Sequence, residues 1–426
     1  MFKTIRDAWR IPELRKKLLF TVFILVIYRF GSAIWVPFID VTELKTVFET
    51  SFSDTIFGMY DMMSGGAFSQ ATVFAMSIQP YINASIIMNL LTVGVPALER
   101  MVKEGGEDGR KKIASITRFV TVGLGLLMGF AYYTTLRAYG LISPDNWFTA
   151  LVIVISFTAG TAFIMWLGEQ VTEFGIGNGI SIILFASIVS RGPSMVSTAI
   201  QGLSGGTLAW WQLVLVLALG VALIAFIVFI TTAERRIPVS YAKRMVGRKM
   251  YGGQNTHLPL KVNMSGVMPI IFAQTFAAFP ATIAAFIPNK SEFWTRFFNA
   301  IGYGSLIFSI AYFFLIIGFA YFYTSIQFNP IEVANNLKQN GGFIPGFRPG
   351  KPTSDFIKRV LNKITLFGAL FLGVVALLPT IMSGAMDMKG LSWGGTSVLI
   401  VVGVALETMK QLESQMLMRH YKGFLE

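Results

Sequence analysis

Long apolar runs almost free of charge alternate with short, base-rich polar segments from one end of this chain to the other. Met62 to Leu98, Asn146 to Gly168, Val262 to Asn289, Phe297 to Ile331 and Ile364 to Met386 contain no Asp, Glu, Lys or Arg. A helix needs about 20 predominantly apolar residues to cross the hydrocarbon core of a bilayer. Barrel strands of about ten residues with alternating polarity do not produce such runs, so the expected elements are membrane-spanning helices. The pattern predicts ten, at roughly 18–38, 72–95, 114–136, 148–168, 176–198, 208–232, 264–288, 303–327, 360–381 and 394–410. Gly65 and Gly66 precede a short apolar stretch and Pro80 falls early in the second span, which predicts a short re-entrant element ahead of the crossing helix.

The charges between the runs orient them. The N-terminal arm carries Lys3, Arg6, Arg10, Arg15, Lys16 and Lys17, whereas the next connection has Lys45 alone among several acids. Arg100, Lys103, Arg110, Lys111 and Lys112 lie in the second connection. Arg235, Arg236, Lys243, Arg244, Arg248, Lys249 and Lys261 follow span 6, and Lys338, Arg348, Lys351, Lys358 and Arg359 follow span 8. The opposite side receives only Lys45, Arg191, Lys290, Arg296 and Lys389 in its loops. Basic loops are retained in the cytoplasm, so both termini are expected there and the span number is expected to be even. The formal charge of +13 is therefore read as topological and not as a nucleic-acid footprint. The first span is too long for a cleavable signal and has no small-residue cleavage site after Pro37. Arg29 within it either lines water or snorkels and pairs within the bundle.

Five spans precede the Gly-rich stretch Gly202-Leu203-Ser204-Gly205-Gly206 and five follow it. An odd number per half means that related halves must be inverted. The expected fold is all-α and polytopic, with halves at roughly 1–200 and 208–411, a hinge at 201–207, cytoplasmic loops at about 233–263 and 328–359, and a cytoplasmic tail at 412–426. Span 5 opens with Gly175-Ile176-Gly177-Asn178-Gly179, a spacing that allows close backbone approach or a bend.

Composition removes several function classes. There is no Cys, and His257 and His420 are the only histidines, so thiolate and all-protein zinc sites are not expected. Glu169 and Glu173 fall at the cytoplasmic end of span 4 and Glu407 near that of span 10, where exposure or helix capping accounts for them. Ion-coupled transport normally places ionisable groups at mid-bilayer, and few are offered here. Gly346 to Thr353 mimics a phosphate-binding loop but has three residues between its glycines, Pro352 after its lysine and no strand ahead of it. No enzyme activity and no cofactor are expected, and an energy source must come from a partner.

The stretch Ser64-Gly65-Gly66-Ala67-Phe68, followed by Ile78-Gln79-Pro80-Tyr81-Ile82-Asn83-Ala84-Ser85-Ile86-Ile87-Met88, resembles the plug and second span of the SecY family. Lys103 to Gly106 before Gly109 to Lys112, Gly175 to Ile182, Tyr241 to Arg244, His257 to Asn263, Pro345 to Gly350 and Gly394 to Ser397 resemble the same family in the same order. The resemblance implies a protein-conducting channel that passes unfolded polypeptides and releases signal or transmembrane segments sideways into lipid. It implies a central pore with a constriction at Ile78, Ile82, Ile180, Leu184, Ile271 and Ile400. A plug at about 57–68 would contain Phe57, Met59, Met62, Met63, Gly65, Gly66 and Phe68, with the methionines as adaptable packing. A lateral gate between spans 2 and 3 and spans 7 and 8 would carry Asn83 and Gln274, with hydrogen bonding biasing its closure. Implied partners are the small membrane subunits SecE and SecG, the SecA motor ATPase, the ribosome, secretory precursors with signal sequences, and membrane lipid. Arg235, Arg236, Lys243, Arg244, Arg248, Lys249, Arg348 and Lys351 would meet the motor or the ribosome, and the location implied is the bacterial plasma membrane. Ser77, Gln79, Asn89 and Leu184 depart from the family pattern and bear on local packing and gating threshold. The alternative weighed against this reading is an inverted-repeat secondary solute transporter.

The charge alternation makes a direct prediction. In a chain with no native cysteine, Asp54→Cys should react with an impermeant thiol reagent from outside and Gly253→Cys only from inside. Labelling of both from one side would overturn the ten-span topology.

Overall fold

Every one of the ten predicted crossings falls on a helix in the computed structural model, which describes residues 2–52, 56–205, 209–241, 244–246, 249–251, 256–285, 305–386 and 395–422. Asp54 and Gly253 lie outside the described residues. A short amphipathic helix α1 (Phe2–Arg10) leads into α2 (Pro12–Gly31), and α3 (Val41–Val47) runs into a π-helical turn, Phe48–Phe52. Then come α4 (Ile56–Ser64), α5 (Gln79–Gly94), α6 (Pro96–Lys103), α7 (Gly106–Ala138), α8 (Trp147–Phe174), α9 (Gly179–Ser190) and α10 (Gly192–Ser204). The second half contains α11 (Trp210–Thr232), α12 (Met268–Ala285), α13 (Leu306–Gln327), α14 (Pro330–Gln339), α15 (Lys351–Met386) and α16 (Gly395–Lys422).

Among the described residues, six helical stretches are long and apolar enough to cross a bilayer. A seventh candidate, α5 with Pro96–Val102 of α6, is bent by 101°. The bend falls at Val95-Pro96, where proline forces the preceding residue out of the helical region; Val95 has φ −110° and ψ 111°. Helix α11 buries only Ile227 and Ile230, and Phe229, Val221 and Trp210 point outward, the distribution expected where lipid and not water is the surrounding solvent.

Boundaries differ from the sequence reading where local chemistry intervenes. Helix α2 stops at Gly31 instead of near residue 38, because the next residues turn away and Asp40 starts α3, its Oδ1 accepting the N–H groups of Thr42 (2.9 Å) and Glu43 (3.1 Å). The second crossing begins at Gln79, not 72. Pro80 sits in the first turn, where a missing N–H costs nothing, and the apolar stretch ahead of it is irregular chain. That stretch contains Ala71 and Ser77 with φ of 46° and 48°, so it cannot continue as a helix. Span 5 is two helices, and α10 continues through Ser204, so the expected hinge is helical over its first part.

The segments read as basic loops are not loops throughout. β1 (Glu234–Tyr241) pairs antiparallel with β4 (Thr256–Lys261) on one edge and with β5 (Gly342–Phe343) on the other, giving the order β4-β1-β5. A separate hairpin joins β2 (Arg244–Val246) to β3 (Lys249–Tyr251). His257 therefore lies in a strand, opposite Pro238. Ile237 and Val239 alternate inward and pack with Leu260, Ile344 and Ile357 into a small core outside the helical bundle.

Three larger apolar clusters fill the bundle. A smaller one, Ala8, Leu14, Ile176 and Leu412, ties the N-terminal arm to α16. Arg118 on α7 pairs with Glu169 on α8 at 2.8 Å, so Glu169 has a specific partner beyond simple exposure. The irregular chain is pressed hard against α8: a Cβ on Gly160 would collide with the carbonyl of Val73. Gly160→Ala is expected to destabilise the protein by about 1–3 kcal/mol, because backbone on both sides of the contact must move. Thermal unfolding in detergent should show a lowered Tm, and an unchanged Tm would contradict this packing.

Candidate functional site

The six aliphatic residues singled out above come from four helices. Ile78 caps the N-terminus of α5 and Ile82 follows one turn later, so both face the same way. Ile180 and Leu184 are likewise one turn apart on α9, Ile271 is in the first turn of α12, and Ile400 is on α16. All six belong to one apolar cluster: Ile78, Ile82, Leu184, Ile271 and Ile400 are buried, and Ile180 packs against them half-buried.

Local chemistry aims these side chains. Asn178 caps α9, its Oδ1 accepting from the N–H groups of Ile180 (3.1 Å) and Ser181 (3.4 Å). Gly177 has φ 81°, a conformation glycine adopts without steric cost, and Thr172 Oγ1 accepts the N–H of Gly179 at 2.9 Å. The Gly-rich opening of span 5 is thus a turn that delivers Ile180 and Leu184 to the cluster.

The short helix α4 sits against this cluster through Met63, a buried member of it. Met62 is half-buried outside it, and the side chain of Met59 is outside the described residues. Gly65 and Gly66, with φ of 71° and 87°, reverse the chain after α4, and a Cβ on Gly65 would meet the carbonyl of Ser187 at 2.7 Å. Phe68 anchors a second cluster, stacked on Tyr132 (centroids 4.3 Å apart) and on Phe57 (5.8 Å).

Polar contacts hold this segment from four sides. Tyr132 on α7 donates its hydroxyl to the carbonyl of Phe68 at 2.7 Å. The Tyr28 hydroxyl on α2 lies 2.7 Å from Ser187 Oγ on α9 and 3.4 Å from the carbonyl of Ser64. Gln274 on α12 donates Nε2 to the Met63 sulfur at 3.2 Å. Arg191, at the end of α9, donates Nη1 to Asp61 Oδ2 at 2.7 Å, with Asp61 only 1% exposed.

Asn83 and Gln274 do not bond each other. Asn83 Nδ2 donates instead to the Met128 sulfur on α7 at 3.8 Å, while Gln274 faces α4. Helix α12 contacts both α5 and α7, which brings spans 2, 3 and 7 together. Arg29 is exposed and donates to Ser190 Oγ at 3.3 Å, pairing within the bundle.

The basic residues divide. Arg235 and Arg236 are exposed on β1, and Arg236 pairs with Glu234 at 2.7 Å. Arg244 and Lys249 belong to the β2-β3 hairpin with side chains outside the described residues, and Lys243 and Arg248 lie outside them altogether. Arg348 and Lys351 are exposed. Positive φ at Gly346 and Gly350, the stacking of Phe347 on Phe356 (4.2 Å) and the bond from Thr353 Oγ1 to the Arg348 carbonyl (2.8 Å) fix the turn that presents Arg348.

Sequence reasoning missed Asp61, Arg191, Tyr28, Ser187 and Tyr132. The available signal was isolation: Asp61 is a lone carboxylate in an apolar helix, and a charge in such a setting requires a partner. Among the described residues, no group of three or more His, Asp or Glu is placed to hold a metal ion.

A family model for SecY matches residues 72–409. A protein translocase subunit SecY from Streptomyces galbus is 46% identical over 440 residues, and the match covers all of both chains. The corresponding subunit from Thermotoga maritima is 42% identical, covering all of this chain and 98% of the relative. A solved protein conducting channel superposes with TM-score 0.67 at 18% identity over 96% of each chain. Sec61 from a canine ribosome-channel complex gives 0.62 at 18%, also over 96% of each chain.

Proposed function

This chain belongs to the SecY family, and from that membership we propose that it is a channel through which unfolded secretory polypeptides cross a membrane and from which signal or transmembrane segments pass sideways into lipid. The observation that carries the reading is the convergence of Ile78, Ile82, Ile180, Leu184, Ile271 and Ile400 in one cluster with Met63 of the short helix α4 against it. Aliphatic side chains close around a passing chain of any sequence and offer it no fixed hydrogen bonds, while a dry constriction resists ions when the channel is empty. Helix α4 and the turn to Phe68 act as the plug. Spans 2 and 3 against spans 7 and 8 act as the lateral gate, Asn83 and Gln274 each lying on one side of it. The transporter alternative finds no comparable support: the relatives that match over the whole chain are protein translocase subunits.

The protein is membrane-embedded. In the proposed setting, the bacterial plasma membrane, both termini and the β4-β1-β5 sheet face the cytoplasm, where exposed Arg235, Arg236, Arg348 and Lys351 meet a motor ATPase such as SecA or the ribosome. Small membrane subunits of the SecE and SecG kind cover part of the apolar exterior.

Translocation of a secretory precursor into proteoliposomes by purified motor and ATP tests the reading, and substrate-gradient uptake of a small solute in its place would overturn it. Ile82→Asn and Ile271→Asn are expected to raise resting ion conductance by about tenfold, since an amide wets the constriction. Unchanged conductance in both would remove these residues from the ring. Arg348→Glu is expected to insert and fold normally but to lose most motor-driven translocation, because a planar five-donor fork is not replaced by nearby lysines. Near wild-type translocation and ATP hydrolysis at matched channel content would refute its docking role.

A further inference from the structure

We propose that the Asp61–Arg191 ion pair is the latch that sets how strong a signal segment must be to open this channel. The inference rests on the channel reading and adds to it the contact that fixes the threshold. Asp61 is the one charged residue of the plug helix α4. Its carboxylate is 1% exposed and fully engaged: Oδ2 accepts from Arg191 Nη1 at 2.7 Å and Oδ1 from the backbone N–H of Ser69 at 2.8 Å. The Asp61 carbonyl accepts from the N–H of Gly66 (2.9 Å) and the hydroxyl of Ser64 (3.1 Å), so the residue also organises the turn that ends the plug.

The partner lies on a different body. Arg191 is the C-cap of α9, the helix that carries Ile180 and Leu184, and the N-cap of α10, so the two helix dipoles act on its charge in opposite senses and Asp61 is its specific partner. The contacts from Tyr132, Tyr28 and Gln274 described above are neutral, and the one from Gln274 goes to a sulfur, a weak acceptor. Movement of the plug out of its seat therefore separates a short charge-assisted pair. Within the seat the Asp61 carboxylate is shielded from water; outside it, both groups are hydrated and their attraction is small.

The two partners are not equally buried, and this gives the latch a directional signature. The Arg191 side chain is 30% exposed against 1% for Asp61. Removing Arg191 strands a buried carboxylate that can regain water only by leaving the seat, so the variant should favour the open state strongly. Removing the Asp61 charge strands a guanidinium that already reaches water, and Asn can still accept from the Ser69 N–H, so the effect should be smaller. Once Arg191 is gone, neutralising Asp61 relieves the stranded charge and should close the channel again.

The experiment measures resting ion conductance in planar bilayers and export of a precursor with a defective signal for Arg191→Gln, Asp61→Asn, the double variant and Arg191→Lys, each at matched content and after thermal unfolding has confirmed folding. Arg191→Gln should raise both readouts by about tenfold and Asp61→Asn by about threefold, with the double variant no higher than Asp61→Asn alone. Arg191→Lys should keep most of the closure, since the charge remains. Independent effects that multiply in the double variant, or singles equal to wild type, would overturn the latch. A wild-type channel that fails to translocate a precursor with an intact signal would instead overturn the channel reading beneath it.

Discussion

Inside a bilayer, a backbone N–H or C=O that leaves a helix has no water to turn to, and each orphan costs several kcal/mol. The chain from Gly65 to Ile78 leaves helical geometry within an apolar run, and much of the surrounding structure serves to satisfy it. Val36 donates its N–H to the carbonyl of Ala71, Val73 donates to Ile34, and Thr72 donates to Ala67. The early end of α2 frees residues 34–36 to supply these partners. The close approach of Gly160 lets α8 seal the other side. An irregular segment among these helices is tolerated because it is enclosed by protein.

The same segment divides labour with the cluster beside it. The aliphatic positions contributed by α5, α9, α12 and α16 carry no directional bonding at all, whereas the segment from Asp61 to Phe68 is held by hydroxyls, a sulfur contact and an ion pair from α2, α7, α9 and α12. Directional contacts fix one position of that segment, whereas the non-directional ones between aliphatic side chains do not. Helices α9 and α12 contribute to both sets, so the aliphatic positions and the polar holds share two of their supports.

The helical crossings were legible because an apolar run of about 20 residues has few other uses. The same rule misread residues 72–78: their composition matches a span, and the left-handed backbone of Ala71 and Ser77 leaves no mark in an apolar pattern. The basic loops hid a sheet because their strands are short and their pairing is non-local, although the alternation at Ile237 and Val239 was visible. The six cluster residues were reached through family likeness; spacing alone supported only the two i, i+4 pairs. Asp61 and Arg191 are 130 residues apart, and nothing in the one names the other until the fold brings them together.

The β4-β1-β5 sheet has a consequence for how the protein is made. Ser240 pairs with Phe343 and Tyr241 with Gly342, so the strands that close the sheet are separated by about a hundred residues that include α12 and α13. During synthesis, β1 and β4 emerge close together and can form their ladder early, but β5 arrives only after the intervening helices have been made. Closure of the sheet, and burial of Ile344 beside Ile237, therefore require that α12 and α13 return the chain to the side on which β1 lies. A chain with a misthreaded helix would leave the β1 edge unpaired, a feature that quality control can recognise.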